Sequence, residues 1–409
     1  MFTSASVGRP ITPHARVATL LGSLALLGQS ACISETLPDD AEQRGEDVAD
    51  EAEALSYGGT AFILANGFDG ITRECTDYSV PGPCQYTWYN THGGVRYERV
   101  SRGMYKVTFR GLGQVGGNAQ IVATDSSGTL CKVVNWYPSG GDQVVNVRCH
   151  LPTNGQENSS FIARFVIADG GYDGQGAYLW AGQPSTATYT PAAAYSWNSS
   201  GGVNQIQRLS AGYYAVTLPG LTATGGSVEV TAYGAGDATH CKVQNWYPNA
   251  EGTQVNVRCF NVTTPVDAKF SMNYLAPKQV GAFNYGAYTW AHDSTSAYYI
   301  PNTTYSYNSG PCTERQSGNS VERIGLGDYR VRHDELQVLK SIAHVTAYGA
   351  DANYCTVSGV SAVNSANLGL GTRVNVSCFT GEGYKSDSRF VETFSSGQRG
   401  TFCGTPPSL

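Results

Sequence analysis

Charge is scarce in this 409-residue chain: Asp, Glu, Lys and Arg together make up 14%. Long runs of Ala, Leu, Glu and Lys are few, which disfavours helix. HExxH, GxSxG and GxxxxGK[ST] are all missing. A zincin, a serine-hydrolase elbow and a P-loop nucleotide site are therefore each unsupported. No CxxC-type pair offers a zinc site. What is plentiful points elsewhere. The 49 glycines and 26 tyrosines, in a chain 41% hydrophobic, indicate β structure with many turns. The length exceeds one ordinary core, so two to four domains are expected.

Arg9 and Arg16 lead into an apolar stretch, VATLLGSLALLG (17–28), too short to span a membrane as a helix. It ends in QSAC (29–32), which resembles the lipobox of bacterial lipoproteins, with Cys32 as the lipidated residue. Gln29 departs from that pattern, and the alternative is a soluble secreted protein cleaved nearby. Residues 1–32 read as a signal peptide and 33–57 as an acidic linker. Nine acids in it face one base, Arg44, so a disordered, solvated tether is expected. Without the leader and tether, the totals of 32 acids and 26 bases fall to 23 of each. A neutral body with no basic stripe argues against nucleic acid.

CKVVNWYP (131–138) returns as CKVQNWYP (241–248), one landmark of a longer repeat. VNVRCH (145–150), VNVRCF (255–260) and VNVSCF (374–379) follow. GAYLWA (176–181) matches GAYTWA (286–291), and VTAYG occurs at 230–234 and 345–349. Within each block the pattern has period two: Tyr105, Val107 and Phe109; Tyr214, Val216 and Leu218; Tyr329, Val331 and His333. Such alternation, broken by glycine-rich turns, predicts strands with one buried face. The expected fold is all-β, with three tandem immunoglobulin-like or related β-sandwich repeats of about 110 residues. Boundaries fall at 58–158, 159–265 and 266–409, the last including the C-terminal tail.

Ten cysteines beyond Cys32 suggest disulfides in an exported chain. Recurrence pairs Cys131 with Cys149, Cys241 with Cys259 and Cys355 with Cys378. Cys75 and Cys84 pair locally, and elimination leaves Cys312 with Cys403.

The succession Y-x-W-A, Y-x-P, G-x-Y-x-V, V-T-A-Y-G, C-K-V-x-x-W and V-x-V-R-C-F resembles a repeat of uncharacterised secreted proteins from actinobacteria and myxobacteria. It covers almost everything from residue 58 to 395, and its best copy is 161–275. The resemblance implies secretion and a β fold, and no activity. The first block lacks full AYxWA and VTAYG motifs, and the third lacks NWYP.

Candidate chemistry is thin. His92, His150, His240, His292, His333 and His344 do not recur between blocks. His240 beside Cys241 suggests a Cys–His nucleophile only if Cys241 is reduced. Asp169 and Asp173 in ADGGYDGQG (168–176), and NGFDG (66–70), lack the ligand count of a calcium site and read as turns. No metal or cofactor is expected. Trp180 and Trp290, and Trp88 and Trp197, read as repeat mates in the core. Trp136, Tyr137, Trp246 and Tyr247 break strand alternation. They either pack over the sandwich end or stack on a sugar ring or a hydrophobic partner.

Three functions remain. The first is a non-catalytic binding or adhesion protein, tethered to the bacterial cell envelope as a lipoprotein or secreted, that recognises carbohydrate or a surface protein. Its contact with the membrane is by lipid anchor only. The second is a structural spacer without a ligand of its own, and the third an enzyme with an unrecognised site.

Overall fold

Period-two alternation sets the buried faces. The nine residues of the Tyr105, Tyr214 and Tyr329 triplets are all 1% exposed or less. The computed structural model describes residues 59–77, 84, 87–168, 175–279, 285–310, 318–336, 340–365 and 369–396. The leader, Cys32, the acidic linker, Asp169, Asp173, Cys312 and Cys403 lie outside them.

The chain is all-β, and the described residues contain no α-helix. The first group of strands is β1 (Gly59–Ala65), β2 (Arg73–Cys75), β3 (Trp88–Asn90), β4 (Val95–Ser101), β5 (Met104–Phe109), β6 (Asn118–Ala123), β7 (Leu130–Ser139), β8 (Asp142–His150) and β9 (Phe161–Ile167). They form a four-stranded sheet, β3-β1-β9-β6, and a five-stranded sheet, β2-β4-β5-β8-β7. Ala61, Phe161 and Phe165 of the first meet Tyr105, Val107 and Val145 of the second in one core.

The second group is β10 (Gly176–Ala181), β11 (Thr188–Tyr189), β12 (Ser196–Asn198), β13 (Gln205–Ser210), β14 (Tyr213–Pro219), β15 (Ser227–Ala232), β16 (Thr239–Pro248), β17 (Gly252–Asn261), β18 (Thr264–Pro265) and β19 (Phe270–Leu275). The third is β20 (Tyr285–Ala291), β21 (Tyr298–Tyr299), β22 (Ser306–Asn308), β23 (Asn319–Gly325), β24 (Asp328–Asp334), β25 (Ser341–Tyr348), β26 (Tyr354–Ser365), β27 (Gly369–Phe379) and β28 (Arg389–Ser396). Both groups repeat the first topology: β12-β10-β19-β15 with β11-β13-β14-β17-β16, and β22-β20-β28-β25 with β21-β23-β24-β27-β26. A parallel bridge, Val243 to Tyr348, joins one sheet of each into a ten-stranded sheet.

Each group closes on its own ends, because its first and last strands are neighbours: β1 with β9, β10 with β19, β20 with β28. The expected boundaries at 158/159 and 265/266 therefore fall one strand early. Phe161–Ile167 pairs with Gly59–Ala65 over its full length and belongs to the first group, not the second. Register also revises one pair of tryptophan mates. Trp197 lies opposite Tyr178 as Tyr89 lies opposite Phe62 and Tyr307 opposite Tyr288. Trp88 instead matches Ser196 and Ser306.

Disulfides join Cys75–Cys84, Cys131–Cys149, Cys241–Cys259 and Cys355–Cys378. The last three link directly opposed residues of the β7/β8, β16/β17 and β26/β27 hairpins.

Candidate functional site

NWYP lies on a strand in both copies, not in a loop. A bulge between Val133 and Asn135, and another between Val243 and Asn245, resets the alternation. Val133 and Trp136 thus both point inward although they stand three apart. Trp136 and Trp246 are each 5% exposed.

Each indole closes a junction between neighbouring sheet pairs. Trp136 meets Trp180, Tyr195 and Tyr233 of the second pair, with ring centroids 6.3, 5.7 and 5.6 Å away. Trp246 meets Trp290, Tyr305 and Tyr348 of the third at 6.2, 5.5 and 5.8 Å. The Nε1–H groups donate to the carbonyls of Gly116 and Gly225, each at 2.8 Å, so both buried indoles are satisfied. Those glycines have φ of 104° and 114°, and a Cβ there would stand 1.9 Å from Ala194 O or 2.0 Å from Thr304 O of the next pair. Only glycine fits. Trp180 and Trp290, expected in the core, are half-buried at these junctions.

Stacking on a ligand is therefore closed to Trp136 and Trp246. Tyr137 and Tyr247 turn the other way and are 39% and 41% exposed. Beside them run recurrent amide pairs: Asn146 donates to Asn135 at 2.7 Å, and Asn256 to Asn245 at 2.6 Å.

Polar contacts repeat across the same junctions. Lys132 Nζ donates to Asp237 at 2.7 Å, and Lys242 Nζ to Asp351 at 2.6 Å. Both lysines are at most 2% exposed. Burial pulls both ammonium groups below their ordinary pKa, against the pull of their aspartates. Asp237 goes down to about 2; burial opposes that shift, and Lys132 outweighs it. From the third pair back to the first, Thr356 takes the lysine position and Oγ1 donates to the Asp125 carbonyl. Tyr354 OH donates to Gly128 O at 2.6 Å. The apolar side chains Phe62, Val122 and Ile162 of the first pair join the core of the third. The three sheet pairs thus close on one another in a ring.

Gln120, Glu229 and His344 hold equivalent places on β6, β15 and β25, opposite Arg164, Asn273 and Thr393. Arg164 grips Glu229 with two guanidinium bonds, Nη1 to Oε1 at 3.1 Å and Nη2 to Oε2. Asn273 adds a third bond at 3.1 Å, and His344 Nδ1 lies 3.9 Å from Oε1. Burial raises the Glu229 carboxyl, yet these partners together hold it below its ordinary value. Burial pushes His344 down to about 4.

A cavity of about 50 Å³ sits where the three pairs meet, with Lys132, His150, His240, Lys242 and Thr356 among its lining residues. Burial takes His150 down to about 3 and His240 to about 4. The neighbouring Cys241 is oxidised, so this His–Cys pair holds no nucleophile. His333, in the core slot that Phe109 and Leu218 hold, is engaged at both nitrogens, by Asn319 Oδ1 at 2.8 Å and by the buried Glu392 at 2.9 Å. In NGFDG, Asp69 is engaged by Arg73 at 2.8 Å and by the Ile71 amide at 3.2 Å. Among the described residues no group of three or more His, Cys, Asp or Glu converges as metal ligands. His92 and His292 lie on or beside loops, where His92 contacts Thr91 and His292 packs on Trp290 and Tyr299.

The junction residues that sequence reading missed carried a signal. Gly-Gly at 116–117 and 225–226 recurs in the first two blocks, as NWYP does, and Leu339-Lys340 replaces it in the third. Tyr195 and Tyr305 recur only in the last two, as AYxWA does. Comparison of the chain with protein-family models, curated proteins and solved structures returned no match.

Proposed function

We propose that this chain is a non-catalytic binding protein of the bacterial cell envelope, held on its acidic tether through lipidated Cys32. Its three sheet pairs act as one rigid head. One observation carries the reading. Tyr137 and Tyr247 stand at equivalent places on two locked strands, half-exposed and flanked by ordered amides. A tyrosine fixed on a strand presents its face at little entropic cost, and amides serve the hydroxyls of a sugar.

A glycan and surface-protein array probed with full-length Cys32→Ser protein tests this. Binding that falls in Tyr137→Ala or Tyr247→Ala, with unchanged melting temperature, supports the reading. Binding unchanged in both variants removes it. The locked junctions favour a structural spacer as the second reading, which gains if the folded protein binds nothing.

A further inference from the structure

We propose that the ligand surface is the outer face of the second five-stranded sheet, over β13, β14, β17 and β16, and that it takes an uncharged polysaccharide. This rests on the binding reading above and names its site and ligand class. The three outer faces share a topology but differ in chemistry. On the first, Glu98 pairs with Arg96 at 2.9 Å and Lys106 at 3.8 Å. On the third, Glu322 pairs with Arg330 at 3.4 Å. Register places Gln207 at the Glu98 and Glu322 position, and Ala215 at the Lys106 and Arg330 position. The second face has thus lost both members of the charge pair its neighbours carry.

The exchange also changes shape. Ala215 lies between Gln207 on one side and Asn256 on the other. Its short side chain, 7% exposed, stands where the other faces raise a long cationic one. Gln205 and Gln207 are exposed along one wall. Along the other, Gln254 donates to Asn256 at 2.9 Å and Asn256 to Asn245 at 2.6 Å. Tyr247, opposite Gln254, stands at the far edge. Four strands at about 4.8 Å spacing make a face roughly 14 Å wide, suited to several sugar rings rather than one. Arg258, the cation of this face, is already engaged. Its guanidinium lies 3.8 Å over the Tyr213 ring and donates to Gln244 at 2.6 Å. A charged sugar would shed hydration here and meet Arg258 only where Tyr213 and Gln244 already hold it, whereas hydroxyls meet amides that both donate and accept. On the first face Val144 replaces Gln254 and Lys106 takes the Ala215 place, so Tyr137 keeps the Asn146–Asn135 pair but loses the glutamine beside it.

Depletion of full-length Cys32→Ser protein by cellulose, chitin and an insoluble β-glucan, beside polygalacturonate gel, tests the site. Retention by a neutral polymer, weakened at least tenfold in Ala215→Arg and in Tyr247→Ala but unchanged in Tyr137→Ala, is the expected result. Gln207→Ala, a truncation of an exposed side chain, gives the same loss should Ala215→Arg misfold. Tighter retention by polygalacturonate overturns the proposal. Loss in Tyr137→Ala with none in Ala215→Arg or Gln207→Ala overturns this site and leaves the binding reading standing. Folded wild type retained by nothing here and silent on the array overturns both.

Discussion

Trp136 and Trp180 come from different sheet pairs and meet edge to face, ring centroids 6.3 Å apart and planes at 76°. Trp246 and Trp290 repeat the contact at 6.2 Å and 71°. Buried, hydrogen-bonded indoles at a junction act on stability. Trp246→Ala should cost about 3–5 kcal/mol. Tyr247→Ala, one residue on, should change stability by less than about 0.5 kcal/mol. Denaturant unfolding of the full chain measures both, and similar values for the two variants would refute the junction assignment.

The doubled octapeptide was legible as duplication, and period two located the core triplets correctly. The side of NWYP was not legible, because the bulges after Val133 and Val243 consume one residue and invert the phase from Asn135 and Asn245 onward. Alternation read through a bulge puts Trp136 outside. His333 was legible as a buried position, but its partner was not. Its counter-group, Glu392, lies 59 residues away on β28, a separation no local pattern encodes. The block boundaries slipped because the closing strand of each sheet pair follows its disulfide hairpin in sequence but pairs with the opening strand. Only the register reveals that. The junctions were half-visible, since the motifs missing from the first and third blocks are complementary: one side of each lock in blocks one and two, the other in two and three.

Arg164 and Glu229 join the first and second pairs at a site 4% exposed or less. Removing one partner strands a buried charge and should cost about 3–5 kcal/mol. Glu229→Leu and Arg164→Met should each be severe, and the double variant milder than their sum. A strictly additive cycle would show that the pair is not coupled.

Acid should loosen the ring before the separate cores. The native histidines at 150, 240 and 344 stay neutral down to about 3, 4 and 4, while an unfolded histidine takes its proton near 6.5. Between those values the unfolded chain binds protons that the native chain refuses. Stability is full above about pH 6.5 and declines toward pH 4, by about 1.4 kcal/mol per pH unit for each such histidine. His344→Leu should flatten part of the slope of unfolding free energy against pH. An unchanged slope would exclude His344 as a source.

Recurrence accounts for three disulfides and local pairing for Cys75–Cys84, which leaves Cys312 and Cys403 by elimination. Non-reducing peptide mapping should recover that fifth link. Detergent-phase partitioning should move Cys32→Ser into water while wild type stays with detergent. Wild type in the aqueous phase would end the lipoprotein reading, and free Cys312 would end the pairing.

Lys132 shows how a junction can depend on one acid. Its ammonium is almost wholly buried and faces Asp237, which is about half-exposed. Neutralising the acid leaves the cation in a dry site, while replacing the lysine by a flexible apolar chain removes both the charge and its need for a partner. Asp237→Asn keeps the oxygen that accepts from the Thr239 amide at 3.0 Å, so it tests charge rather than turn geometry. Asp237→Asn should destabilise more than Lys132→Met at pH 7. Burial already lowers the lysine pKa, and losing Asp237 lowers it further. A folded pKa below the unfolded value of about 10.4 means the unfolded state binds the extra proton, so stability rises with pH up to that value. The deficit of Asp237→Asn should therefore shrink from pH 7 to pH 10, measured against wild type by urea unfolding at each pH. Lys132→Met should show no such recovery. A deficit in Asp237→Asn that is constant across this range would show that Lys132 keeps its proton in the variant and that the buried charge is not what the aspartate offsets.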